Sequence, residues 1–249
     1  MEITEQIEKF HEFFDLVYKE QLHQAISKKE KFLVIDFIEL NKYNTYLSKE
    51  LLENPKDILR ISEIAIEQFD FPGCNEFRIR FKNLPKTQEI LIRDIRSKHY
   101  NKFIQLVGIV KEKLPIGVQI VSARFECPSC GNIITELQNN RKLVEPSKCG
   151  CKRKGKFKLL NTKVVDRQEI ILTESLKDKH SPSISSVLVG DLINPSHEKK
   201  ILLESEVVIT GIINFELLHA RDGGRLNNCN FNIDVNHIEL VNPIGGNEY

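Results

Sequence analysis

Four of the six cysteines fall in one short stretch: Cys127, Cys130, Cys149 and Cys151. In Cys127-Pro128-Ser129-Cys130-Gly131, two intervening residues let both thiolates reach one ion from a tight turn. The glycine permits the close turn that brings backbone N–H groups toward sulfur. The second pair is tighter, with Gly150 alone between Cys149 and Cys151 where two residues are usual. Four soft thiolates suit a closed, tetrahedral Zn²⁺ site, structural because no position is left for water. Such an ion folds a segment too short to build its own core. The competing reading is a set of free or redox-active thiols. Cys74 and Cys229 stand apart and read as small buried apolar groups, not ligands.

Other chemistry is sparser. Gly150 to Lys156 matches the glycine and lysine spacing of a phosphate-binding loop, but Phe157 stands where a Ser or Thr would hold Mg²⁺. The stretch also contains a metal-ligand candidate and follows no strand, so no nucleotide site is assigned. Arg141 to Lys158 carries eight Lys/Arg with Glu145 as the one acid. This run fits either a phosphate-contacting face or a solvated one. Further on, His219, Arg221 and Arg225 flank Gly223-Gly224. Such a tip is either an ordinary exposed turn or a projecting pair of guanidinium forks suited to phosphate. Lys111 and Lys113 follow a strand-like segment near a possible groove. Aromatic residues are not prominent over this half of the chain, so no base-stacking platform is expected. No nucleophile–base pair, HExxH or GxSxG occurs, and no catalytic residue is assigned.

These residues need elements to position them. Over residues 1–91, Ile3, Ile7, Phe10, Phe14 and Val17 recur at helical spacing. Phe32 to Leu40 is an apolar run that reads as either strand or buried helix. Asn54-Pro55 predicts a capped helix start, followed by Ile58, Ile61, Ile64 and Phe69 on one face and a stop at Phe71-Pro72-Gly73. Phe77 to Phe81 alternates as a short strand. After Pro85 the pattern turns to strands: 103–110 and 118–125, then 158–165, 169–172 and 207–213, and an alternating stretch 231–241. Residues 177–183 read as a polar loop. Strand, turn and strand over 207–241 predict a long hairpin. Five or more strands with an insertion after the second predict a small Greek-key barrel of the OB type.

The chain has 249 residues, enough for two or three small domains, and a net charge of +1. Any nucleic-acid surface is therefore a local patch and not a global field. No window of about 18 apolar residues spans a membrane. The amphipathic, acidic start lacks the basic and apolar regions of a signal peptide, so a cytoplasmic location is expected.

Taken in order, these features resemble the N-terminal region of archaeal-type MCM (minichromosome maintenance) replicative DNA helicases. Ile95-Arg96-Ser97 with Phe103 to Val110 is similar to the family's approach to its first barrel strand. Ala123-Arg124-Phe125-Glu126 with Cys127 to Gly131 resembles the strand leading into its zinc knuckle. Asp166 to Ile170 with Glu174, then Gly190-Asp191-Leu192 and Val207 to Ile212, resemble its later strands. The family's usual Gln before Glu174 is Thr173 here. Gly117 and Gln119 stand where basic residues are common, and Ser183 follows Pro182 where Arg is frequent.

The resemblance implies an α+β chain: a helical subdomain at 1–91, an OB-fold barrel with a long hairpin at 92–126 and 157–249, and a zinc lobe at 127–156. It also implies a homohexamer, single or double, around single- or double-stranded DNA, with other replication proteins as further partners and no membrane. Arg221, Arg225, His219, Lys111, Lys113 and Arg124 would face DNA. Glu174, Lys177 and Asp191 would belong to a loop coupling the ring to an AAA+ motor. Zn²⁺ would be structural, and ATP with Mg²⁺ would belong only to that motor. Two other readings compete. One is a standalone OB and zinc protein for single-stranded nucleic acid. The other is a zinc-ribbon factor akin to archaeal initiation factor two beta, disfavoured by the long hairpin that follows the zinc lobe.

Overall fold

The computed structural model describes residues 1–138, 143–193, 201–219 and 225–241, with backbone alone at residue 75, at 216–219 and at 225–228. The chain divides into two compact units, one made of Met1–Leu114 with Glu169–Tyr249 and the other of Pro115–Gln168.

In the larger unit, helices come first. Helix α1 (Ile3–Val17) buries Phe10, Phe13 and Phe14, while Ile3 and Val17, both expected on its apolar stripe, are exposed. Helix α2 (Lys19–Ser27) buries Leu22 and Ala25. The ambiguous run 32–40 is both things in turn: strand β1 (Phe32–Asp36), then helix α3 (Phe37–Tyr43). Asp36 makes the switch, because its carboxylate caps the helix by accepting from Ile38 N–H. Asn44 caps α4 (Thr45–Glu53) in the same way. Helix α5 (Pro55–Glu67) starts at its proline as expected, but Asn54 does not cap it; its amide donates to Glu50. Strand β2 (Arg78–Lys82) then pairs in parallel with β1. Phe81 meets Phe103 edge-on, so the helical core extends onto the next layer.

That layer is a closed barrel. Strand β3 (Phe103–Lys113) is followed in the chain by β4 (Gly117–Glu126) and β5 (Ile133–Leu137), which lie in the smaller unit. Next come β6 (Lys158–Thr173), β7 (Ser183–Val189), β8 (Glu206–His219) and β9 (Arg225–Leu240). Around the barrel the order is β3, β8, β9, β7, β6, and β6 returns to β3 through Ile109↔Thr173 and its neighbours. β7 runs parallel to β9, while β3–β8 and β8–β9 are antiparallel. This is the OB arrangement. Its interior is filled by Ile104, Leu106, Ile170, Leu172, Ile209 and Ile233, among others.

Two details differ from the sequence reading. The insertion follows the first barrel strand, because among the described residues β4 pairs only with β5 and with the part of β6 inside the smaller unit. β6 is one strand where two were expected, and Gly190–Ile193 is a 3₁₀ turn, not strand.

The β8–β9 ladder contains a bulge. Thr210 faces His237 and Gly211 faces Val235, leaving Asn236 as the extra residue. A Cβ at Gly211 would sit 2.5 Å from the Asp234 carbonyl oxygen, so only glycine fits there. The bulge aims Asn236 at β2. Its amide oxygen accepts from Phe81 N–H at 2.7 Å and its NH₂ donates to the Ile79 carbonyl at 2.9 Å, completing one rung beside β2. Next to it the largely buried Arg80 forms a two-point ion pair with Asp191 and donates to the Asn236 carbonyl.

Candidate functional site

In the smaller unit, β4 delivers Cys127 to the first knuckle. Cys127 N–H donates to the Asn132 carbonyl, and Gly131 N–H donates back to Cys127. Gly131 takes a left-handed φ of 70°, the conformation that glycine accommodates freely. The second knuckle is closed by Cys149 N–H to Arg153 and Lys152 N–H to Cys149. Here Lys152 takes the left-handed φ, 69°. Gly150 supplies the narrow spacing without a positive φ. Arg153 links the two knuckles by donating to the Ser129 hydroxyl at 2.9 Å.

The four sulfurs lie within 4.8 Å of one another. Cys127–Cys151 are 3.7 Å apart and Cys130–Cys149 3.6 Å. A tetrahedron with Zn–S bonds of about 2.3 Å has edges of about 3.8 Å. No Cys–Cys disulfide competes, since all six cysteines are free.

The electrostatics of the cluster agree with a cation site. Burial pushes the Cys127 thiol up, but the N–H groups of Ser129 and Cys130 outweigh it and the net direction is down. The N–H of Cys151 leads the effects that lower Cys149, to about 6. At Cys130 the Asn132 N–H favours the thiolate, yet the neighbouring Cys151 and Cys149 sulfurs raise it to about 12. Thiolates this crowded repel one another unless a cation lies between them, and a bound metal deprotonates its thiols outright. The cluster can therefore hold a metal ion, and it caps a small core of Ala123, Phe125, Phe157 and the two buried cysteines.

The other candidates are spread over both units. Arg124 is exposed on β4, level with Thr135 of β5 and Asn161 of β6. Lys111 is the exposed extra residue at a bulge in β3, between Val110↔Leu172 and Glu112↔Ile171. Lys113 is half-buried and donates to the Ile201 carbonyl at 3.0 Å. His219 and Arg225 pair as the last described rung of the hairpin, and Arg221 lies outside the described residues.

The segment from Glu174 to Asp191 is anchored at both ends. Glu174 accepts from Arg93 N–H at 2.9 Å and Asp191 is held by Arg80. The buried Thr173 hydroxyl reaches the carbonyls of Ser175 and Pro182, bridging the base of the loop. Lys177 is exposed between these anchors. Sequence reasoning missed Asn236, Arg80 and the exposed pair Tyr100–Phe215. Polar or aromatic residues at isolated positions give no periodic signal.

A helical layer on an OB barrel, with a four-cysteine lobe inserted after the first barrel strand, defines the class of fold. The MCM N-terminal domain matches residues 2–101 and the MCM OB domain residues 90–190. The chain belongs to the MCM family and corresponds to its N-terminal region, of the archaeal type.

It is 26% identical over 219 residues to the minichromosome maintenance protein MCM of Saccharolobus solfataricus, covering 80% of this chain and 31% of that protein. It is 26% identical over 230 residues to the DNA replication licensing factor MCM2 of Arabidopsis thaliana, covering 84% of this chain and 24% of that protein. The chain thus spans between about a quarter and a third of the length of these relatives. A crystal structure of the N-terminal domain of an archaeal MCM superposes with a TM-score of 0.81 at 22% identity, covering 96% of this chain and 99% of that one. Among the described residues no helix is long and apolar enough to cross a membrane.

Proposed function

We propose that this chain is the DNA-binding and ring-assembly portion of a hexameric MCM replicative helicase, acting with an AAA+ motor that carries ATP and Mg²⁺. The observation that carries the reading is the barrel with its four-thiol lobe inside a chain matched by the MCM N-terminal domain and the MCM OB domain. In this role the chain performs no catalysis. The metal is Zn²⁺, which suits four thiolates and fixes the lobe. The β8–β9 hairpin presents Arg221 and Arg225, with His219, to the phosphates of DNA in the ring channel. Exposed Lys111 and Arg124 add backbone contacts. Lys113 contributes positive charge while its side chain also holds the turn at Ile201. Glu174 and Asp191 act as anchors of the coupling loop, and the exposed stretch containing Lys177 meets the motor.

Binding of this kind is directed at the backbone, so it weakens steeply with salt and shows little sequence preference. Replacing Arg221 and Arg225 together by Ala is expected to weaken DNA binding and flatten its salt dependence, read by fluorescence anisotropy. Unchanged affinity at low salt would refute the hairpin's role. Light scattering gives the ring size. A Walker A motif encoded downstream of Tyr249 supports the motor, and its absence from the gene removes it.

A further inference from the structure

We infer that Tyr100 and Phe215 form a stacking platform for unpaired nucleobases of single-stranded DNA. The inference rests on the DNA-binding reading and names the chemical form of DNA that one face of the barrel takes. Both rings are large, apolar and open to water: Tyr100 is 44% exposed and Phe215 40%. Their centroids are 4.9 Å apart at 46°. Single exposed aromatics are ordinary, but two in contact with each other make a larger apolar patch.

The mounting is firm. Asn101 N–H donates to the Ile213 carbonyl at 2.8 Å, and Ile213 N–H donates to Lys102 at 3.2 Å. These two bonds continue the β3–β8 ladder beyond Phe103↔Ile212, so the backbone of Tyr100 is fixed against β8. Tyr100 N–H is itself tied to Ser97 at 3.1 Å. Across the hairpin, Phe215 faces Phe231, which lines a cavity of about 420 Å³ with Ile92, Ile95, Ser183 and Asn230. The platform thus adjoins a space of the size that small ligands occupy.

Charge selects the occupant. The segment leading to Tyr100 carries exposed Arg96 and Lys98, with Asp94 as an acid between Arg93 and Arg96, while Arg93 is paired with Glu174 at 3.6 Å. Arg96 bonds only to neutral carbonyls among its described partners, so its charge is kept. A nucleobase offers a flat π-face to the rings while its flanking phosphates meet these cations. In a duplex the faces of the bases are already stacked, so the platform takes single strands. Stacking is indifferent to base identity, in keeping with low sequence preference.

The wild-type chain has no tryptophan, so Phe215→Trp introduces a single reporter. Oligothymidine is expected to quench its emission, whereas an abasic oligomer of equal length and a blunt duplex are not. The double variant Tyr100→Leu, Phe215→Leu is expected to lose about fivefold or more in affinity for oligothymidine with an unchanged salt slope. Lys98→Ala should lower that slope and leave the quenching in place. Emission of the Trp variant unchanged at saturating oligothymidine overturns the platform, as does a Leu variant that binds like wild type. The hairpin reading survives either result if the wild-type chain still binds. A wild-type chain with no affinity for oligothymidine at low salt sinks both.

Discussion

The Asn236 amide supplies one rung that a neighbouring strand would otherwise give at the edge of β2. In Asn236→Ala the Phe81 N–H and the Ile79 carbonyl lose their partners at 2.7 and 2.9 Å. Residue 236 is buried, so water does not readily replace the amide. Each stranded buried group costs about 1–3 kcal/mol. With partial relaxation, a total loss of about 3 kcal/mol is expected. For a protein of this size that corresponds to melting lowered by about 6–12 °C. Arg80 is unaffected in its bond to residue 236, since it uses the backbone carbonyl. The assay is thermal unfolding by circular dichroism, paired with hydrogen exchange at the Phe81 amide. Melting within about 2 °C of wild type, with Phe81 exchanging no faster, would refute the rung.

Asp191→Ala leaves the Arg80 guanidinium, whose side chain is 10% exposed, without its carboxylate. A loss of about 3 kcal/mol is expected, largely recovered when Arg80→Met is added, as read from urea midpoints. Removing the metal with a strong chelator should release about one equivalent of zinc. It should also abolish amide protection around Phe125, Cys127 and Cys149 while leaving that of the helical core, and Cys149→Ser should do the same without chelator. His237, on β9, is pushed below the ordinary histidine value, first by burial and then by the Arg80 and Lys82 charges, against the pull of Glu239. The folded chain therefore binds this proton less readily than the unfolded chain. The contribution is whole above about pH 6.5 and fades as pH falls toward the lowered folded value. Melting temperature should drop more between pH 7.5 and 5.5 in wild type than in His237→Gln.

Much of the site was legible because metal ligation depends on spacing, and Cys127, Cys130, Cys149 and Cys151 announce themselves by it. Alternation likewise identified β3, β8 and β9. Alternation shows that a segment is a strand without showing its partner, which is why Val118 to Phe125 read as a second barrel strand when it belongs to the insertion. β7 escaped notice because Ser183, Ser185 and Ser186 give Ser183–Val189 the composition of a loop. β5 is short and has only one pairing strand among the described residues. The change from β1 to α3 lies inside one apolar run, and only the Asp36 cap reveals it. The bulge at Asn236 and the meeting of Tyr100 with Phe215 are products of register, which a single sequence does not display.

Strand β3 serves two masters: Phe103 points into the helical core, whereas Ile104 and Leu106 fill the barrel. β8 does likewise, with Ile212 on one side and Ile209 and Ile213 on the other. The boundary near residues 90–101, where one family domain gives way to the next, is therefore not a place to cut. A fragment starting at residue 92 would lay Phe103 and Ile212 bare and invite aggregation, however intact its barrel.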